Sequence, residues 1–200
     1  MRIIGLTGGI ASGKSTVSQF IQEKGMPVIC ADKLAREVVE PGKPAYQKIV
    51  QEFGGKILHP DKTINRPRLA ALVFSSPEKL KKLNSLIHPH VVSGMKKEIK
   101  RFKNKNQKMV VLDIPLLFEE KLDKLCDEVV VVYIPEKIQR ERLKKRDALS
   151  EEEISIRILS QMPLAEKLRR AHTIIDNSGG LIETKKQVEK FFQRLQKNEN

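Results

Sequence analysis

The sequence predicts an α/β fold, a parallel five-stranded sheet flanked by helices, and three observations carry that expectation. Short apolar runs at residues 2–7, 28–31, 108–113, 129–134 and 173–176 alternate with segments of helical periodicity. The run at 129–134 is almost wholly apolar, as a strand covered on both faces should be. A glycine-rich loop, Gly8-Gly9-Ile10-Ala11-Ser12-Gly13-Lys14-Ser15, closes the first run and opens the first helix. Such alternation implies right-handed crossovers, with ligands at the carboxyl ends of the strands.

Each element has a local reason. Residues 15–24 carry Val17, Phe20 and Ile21 at the i, i+3, i+4 spacing of a helix face, and Gly25-Met26-Pro27 stops them. The strand at 28–31 hands over at Asp32 to a helix with Leu34, Ala35, Val38 and Val39 on one side, broken by Glu40-Pro41-Gly42. Pro44 to Phe53 reads as a further helix closed by Gly54-Gly55, and 56–65 as a loop turning at Pro60-Asp61. Three helical patterns follow, at 66–74, at 77–87 with Ser76 as N-cap and Pro77 in the first position, and from about Pro89 to Phe102. Beyond the third and fourth strands, 136–146 is a strongly basic helix. Ser150 with Glu153 forms a capping box opening the next, so that the two make a charged hairpin poor in apolar anchors. Residues 165–171 continue helical, the fifth strand ends in the turn Asn177-Ser178-Gly179-Gly180, and 181–196 is the closing helix.

The glycine-rich stretch fits G-x-x-x-x-G-K-[ST] in its required strand-to-helix setting. Gly8, Gly9 and Gly13 let the backbone turn tightly and bring its N–H groups to phosphate oxygens at the positive end of the following helix. On this reading Ala11, Ser12, Gly13, Lys14, Ser15 and Thr16 bind ATP. Lys14 reaches the β- and γ-phosphates, the Ser15 hydroxyl ligates the bridging Mg²⁺, and Thr16 helps on the α/β side.

Composition narrows the partners. Thirty-eight basic against 25 acidic residues leave a net charge of +13, which favours anions without naming one. An aromatic fraction of 4% without Trp offers few stacking platforms, so nucleic-acid binding is not expected, and much of the charge reads as solvated helix face. No window approaches the roughly 18 apolar residues of a membrane span, and Met1-Arg2-Ile3 runs straight into the first strand, so a cytoplasmic protein without membrane contact is expected. Cys30 and Cys126 form no C-x-x-C and sit in no zinc-spaced cluster.

The whole chain resembles the dephospho-coenzyme A kinase family of P-loop kinases. The resemblance rests on residues 6–16, Ala31-Asp32, Val38-Val39-Glu40-Pro41-Gly42, Asn65-Arg66 with Leu69, His88-Pro89, Pro115-Leu116-Leu117-Phe118-Glu119, Gln139 with Arg142 and Arg146-Asp147, and Ile175-Asp176-Asn177-Ser178-Gly179, in the family's order. It implies ATP-dependent phosphorylation of the 3′-hydroxyl of dephospho-CoA, with Mg²⁺, by one domain acting as a monomer. A core at about 1–55, 108–135 and 171–200 would carry a helical acceptor-side insertion at about 56–107 and a helical lid at about 136–170. P-loop kinases as a class suggest strand order 2-3-1-4-5 by analogy. Three positions depart from the family pattern. Ala11 stands where Gly is frequent, and is tolerated if its φ is negative; Cys30 stands where Asp is common; His172 stands where Asp often follows Ala, near the turn expected beside adenine.

The resemblance also assigns residues. Asp32 is the base and an acceptor-side carboxylate, with a helix N-cap as its competing reading. Asp113 resembles a Walker-B acid holding Mg²⁺ through water, or makes a turn before Ile114-Pro115. Arg142 supplies positive charge to the transferring group from the lid, unless it is one more solvated basic residue of that helix. Arg66 and His88 look like acceptor-side residues, and His88-Pro89-His90 reads better as the start of a helix than as a metal site. Lys14, Asp32 and Arg142 are thus the catalytic candidates. A regulatory GTPase fails for want of Asn-Lys-x-Asp, whereas a kinase for another small acceptor, such as a nucleoside monophosphate, keeps the same loop.

Overall fold

The structure, a computed structural model, describes residues 1–197 and divides the chain into two compact units, one of residues 1–29 with 106–200 and one of Cys30–Lys105. The sheet holds β1 (Arg2–Gly8), β2 (Val28–Cys30), β3 (Met109–Asp113), β4 (Glu128–Tyr133) and β5 (Thr173–Asp176) in the order β2-β3-β1-β4-β5, as the analogy suggested. Pairing of β1 with β3 and β4, and of β4 with β5, is parallel throughout. Register aligns Leu6 with Asp113, Gly8 with Val132 and Tyr133 with Asp176, so four strands present their carboxyl ends on one edge.

In the first unit, α1 (Lys14–Glu23) and α9 (Leu181–Lys197) cover one face of the sheet. Val17 and Ile21 of α1 meet Val188, Phe191, Phe192 and Leu195 of α9 over Ile4, Leu6, Val111, Val130, Val132 and Ile175, all buried. Truncating Phe191 or Phe192 to Ala there costs about 3–5 kcal/mol in lost contact and residual cavity. The helices α6 (Glu136–Asp147) and α7 (Glu151–Leu159) form the charged hairpin, with the expected capping box at Ser150 and Glu153. The hairpin buries one apolar side chain on each helix, Leu143 and Ile154, both completely. The short α8 (Leu164–Arg169) stops before Ala171, where the chain turns into β5.

The second unit is helical. It contains α2 (Ala31–Glu37), α3 (Pro44–Phe53), α4 (Arg66–Phe74) and α5 (Pro77–Asn104), and α2, α3 and α4 all pack on α5. Its core is Val39, Ala45, Ile49, Ile57, Leu69, Val73 and Leu83. The expected loop at 56–65 contains a short 3-10 turn, Gly55–Ile57, and an antiparallel bridge between Leu58 and Ile64.

Two helices expected at 77–87 and from Pro89 are one: α5 runs 28 residues with Pro89 inside it. Proline removes the N–H that would reach the Ser85 carbonyl, at a cost of about 3 kcal/mol. Burial of Leu83 before it and Val91 and Met95 after it, on a helix against which α2, α3 and α4 pack, offsets that cost.

Candidate active site

The loop after β1 has the shape its sequence demands, with one surprise. Gly13 has φ +82° and caps the start of α1, where a Cβ would overlap the Asn177 amide. Gly8 and Gly9 are not left-handed, so their smallness serves close approach and not φ. Ala11 is left-handed, at φ +57°, so the negative angle on which its tolerance is conditional is not met. A left-handed non-glycine residue costs roughly 1–2 kcal/mol and survives only where its surroundings determine the backbone. No side chain caps α1 and no acidic residue occupies its first turn, which leaves the N-terminal N–H groups and their positive potential available to an anion.

Those surroundings are polar side chains that grip the loop's peptides. Ser12 C=O accepts from Asn177 Nδ2 at 2.7 Å and from Arg142 Nη1 at 3.5 Å, and Arg142 Nη2 donates to Asn177 C=O at 2.9 Å. Asn177 is itself fixed, since its Oδ1 accepts from the Thr184 hydroxyl at 2.9 Å. The turn after β5 thereby ties α9 and α6 to the loop. Arg142 is half-buried and bonded to two carbonyls, not spread in solvent with its lysine neighbours.

Lys14 and Asp113 meet at the carboxyl ends of β1 and β3. Lys14 Nζ pairs with Asp113 Oδ1, with side chains 15% and 6% exposed. Asp113 is the buried last residue of β3, so it is more than a turn-former: it is the counter-ion of the loop's lysine. Ser15 is the second residue of α1, next to Lys14 in the chain, and exposed.

The acceptor-side candidates lie in the helical unit. Asp32 is exposed in the first turn of α2; the N-cap is Cys30, which removes the capping explanation. Arg66 is exposed as the first residue of α4, whose N-cap Asn65 accepts from Arg68 N–H at 3.0 Å. His88 is half-buried in mid-α5, so the reading of His88-Pro89-His90 as the start of a helix is wrong: the packing that carries α5 through Pro89 puts both histidines inside it.

Two residues carry more than their sequence positions announced. Lys167 is completely buried on α8, its Nζ 2.8 Å from Glu119 Oε1 and 3.2 Å from the Pro115 carbonyl, which also accepts from the Thr7 hydroxyl at 2.9 Å. A lysine three and four residues from Leu164 and Ala171, on an otherwise apolar face, was the available signal. Gln161, between α7 and α8, presents Oε1 to Ile10 N–H at 2.8 Å, and a lone Gln in a connector carries no signal at all. His172 sits at the amino end of β5, away from the adenine-side turn expected for it. Its Nδ1 accepts from Val129 N–H at 3.0 Å, a bond an Asp carboxylate could also make. Cys126 is chemically quiet, its thiol pushed up to about 12 by burial and then by Asp123 and Asp127.

A five-stranded parallel sheet in this order, with a lysine-bearing glycine loop after β1 and an acid ending β3, defines the P-loop kinase class. A shikimate kinase from Bacteroides thetaiotaomicron shares this fold, with a TM-score of 0.51 at 14% identity over 98% of each chain. The narrower match is to the family described as dephospho-CoA kinase, whose model covers residues 2–183. A dephospho-CoA kinase of Bacillus cereus is 53% identical over 94% of each chain, and one of Carboxydothermus hydrogenoformans 49% over 96% of this chain and 93% of that one. The solved dephospho-CoA kinase from Campylobacter jejuni superposes with a TM-score of 0.76 at 30% identity over the full length of both. This chain belongs to the dephospho-CoA kinase family.

Proposed function

We infer that the chain transfers the γ-phosphoryl group of ATP to the 3′-hydroxyl of dephospho-CoA, giving coenzyme A, the last step of its synthesis. Family membership supports the reaction, and the observation that anchors it in this chain is the Lys14–Asp113 pair beneath the glycine loop. The N–H groups from Ala11 to Thr16 cradle the phosphates, and Lys14 exchanges part of its bond to Asp113 for the β- and γ-phosphates. Arg142, already aimed at the loop, adds positive charge there. Asp32 orients the acceptor hydroxyl and takes its proton, with Arg66 and His88 on the acceptor side. The hairpin of α6 and α7 closes as a lid that keeps water from the γ-phosphate. The cytoplasm is the compartment this reading implies, and among the described residues no helix is long and apolar enough to cross a membrane.

Mg²⁺ fits the donors present. It binds through one or two protein oxygens plus phosphates and water, so a hydroxyl at Ser15 and a carboxylate at Asp113 are enough. No cluster of three or more acidic, His or Cys groups is needed, and none is found among the described residues. When bound, the ion neutralises charge on the β- and γ-oxygens.

The decisive test joins Asp32→Asn with identification of the product. The variant keeps shape and one hydrogen bond but cannot take the proton, so ATP and dephospho-CoA should still bind while turnover falls roughly 10²–10⁴-fold. Phosphorus NMR should place the new phosphate of the wild-type product on the ribose 3′-oxygen. Preferential phosphorylation of a nucleoside monophosphate would overturn the assignment, and a fully active Asp32→Asn would remove the base and leave the reaction.

A further inference from the structure

The geometry points to Gln139 and Gln161 as a pair of positioning residues that hold the two peptides flanking one residue of the phosphate loop and so set the aim of the N–H groups after it. The inference rests on the loop being the ATP-phosphate site. Ile10 is the residue in question. Its N–H donates to Gln161 Oε1 at 2.8 Å, and its carbonyl accepts from Gln139 Nε2, also at 2.8 Å. A primary amide offers both a donor and an acceptor, and here each glutamine uses the end its partner requires. Ile10 immediately precedes left-handed Ala11, and left-handed Gly13 follows two residues on. Rotation of either peptide flanking Ile10 would therefore re-aim the cradle at its most strained point.

Both amides are themselves held. Gln139 is buried in the first turn of α6, close enough that a Cβ on Gly9 would fall 2.9 Å from its Nε2. Gln161 sits in the short connector between α7 and α8, with its N–H bonded to the Ile158 carbonyl at 3.2 Å. The next residue, Met162, donates its N–H to Glu119 Oε1 at 2.9 Å, and Glu119 is paired with the wholly buried Lys167. That ion pair also reaches the Pro115 carbonyl, which the Thr7 hydroxyl shares just before the loop begins. Connector, loop and the segment after β3 thus form one hydrogen-bonded frame. Because Gln139 lies in the first turn of α6 and Gln161 follows α7, the two ends of the helical hairpin are both fastened to the backbone of Ile10.

The two bonds differ in what they tolerate, and that asymmetry supplies the test. Gln161→Glu keeps an acceptor for Ile10 N–H, whereas Gln161→Met keeps the length and loses the bond. In full-length protein, Gln161→Met should lower kcat or raise the KM for ATP, about tenfold in kcat/KM for ATP, the effect of one neutral hydrogen bond. KM for dephospho-CoA should stay unchanged. Gln161→Glu should recover most of kcat at saturating MgATP, where any charge effect on binding is removed. Gln139→Glu cannot donate and should resemble Gln161→Met. The double variant Gln139→Met with Gln161→Met should fall short of the product of the two single effects, since both hold the backbone of one residue. Wild-type kinetics for ATP in a folded Gln161→Met protein, or a Gln161→Glu no better than Gln161→Met, overturns the inference. Lys14→Ala is the control for the underlying reading and should lose about 10²–10³ in rate. An active Lys14→Ala sinks the phosphate-loop assignment, whereas an inactive one beside a normal Gln161→Met sinks only the role of the amides.

Discussion

At Ala11 a single dihedral carries a measurable consequence. Its φ of +57° belongs to the region where a Cβ crowds the following carbonyl, and the hydrogen bonds to Ile10 and Ser12 on either side keep it there. Ala11→Gly removes that crowding and adds some backbone entropy to the unfolded chain, so a net gain of about 0.5–1 kcal/mol is expected, with ATP turnover preserved. Ala11→Val adds a second branch at the same angle and should lose at least about 1 kcal/mol. Urea denaturation of both proteins checks the pair, and an Ala11→Gly less stable than wild type would contradict the left-handed assignment. The same residue marks a limit of motif reading: a pattern names the loop, and the sign of φ at one non-glycine position depends on who grips its neighbours.

Among the elements, α7 is held at its amino end by charge in a way that pH should reveal. Glu153 accepts from Ser150 N–H at 2.8 Å, and that bond, then the Ser150 hydroxyl, holds its carboxyl below the ordinary 4.5. Asp147, at the end of α6, is likewise lowered, by its bond to Arg146 first and by the charges of Arg146 and Arg157 after it. A group whose folded pKa is depressed stabilises the fold above its unfolded pKa and loses that contribution as pH falls through the folded value. The first turn of α7 should therefore hold from neutral pH down to about 4.5 and fray below it. Amide exchange of residues 151–154, corrected for intrinsic rates, should show protection dropping below that point in wild type and already low in Glu153→Ala. Equal protection at pH 6 and pH 3.5 would argue that burial of Ile154 alone keeps the turn. The capping box was readable as four letters, Ser-Glu-Glu-Glu; the burial of Leu143 and Ile154 beside so much charge was not.

On the scale of the whole first unit, one buried carboxylate joins parts of the chain far apart in sequence. Glu128, 5% exposed, opens β4; its Oε2 accepts from Arg2 Nη2 at 3.0 Å, and its Oε1 from the Thr173 hydroxyl at 2.9 Å and from Arg194 Nη2. The arrangement binds β1, β5 and α9 to the edge of the sheet opposite the loop. Either arginine alone can neutralise the acid, so Arg194→Ala or Arg2→Ala should cost only about 1–2 kcal/mol. Removing both strands a buried charge on one hydroxyl, and the double variant should lose clearly more than the sum of the singles. Chemical denaturation of the four proteins completes the cycle, and simple additivity would show that solvent already reaches Glu128.

Local chemistry by itself determined the phosphate loop, the alternation that makes the sheet parallel, the capping box, and the family to which the chain belongs. The loop and the capping box are written in residues near one another, where spacing and side-chain type are the physical cause, and the alternation and the family show in such short stretches kept in order along the chain. Tertiary structure decided what depends on distant partners. The continuity of α5 through Pro89 follows from the helices packed on it, which outweigh a local penalty that the sequence states plainly. The lysine at 167 is buried because Glu119 and the Pro115 carbonyl, some fifty residues earlier, satisfy it. Gln161 matters because folding brings it to a peptide 151 residues away, and a neutral amide in a loop leaves no trace of its partner until the chain has closed.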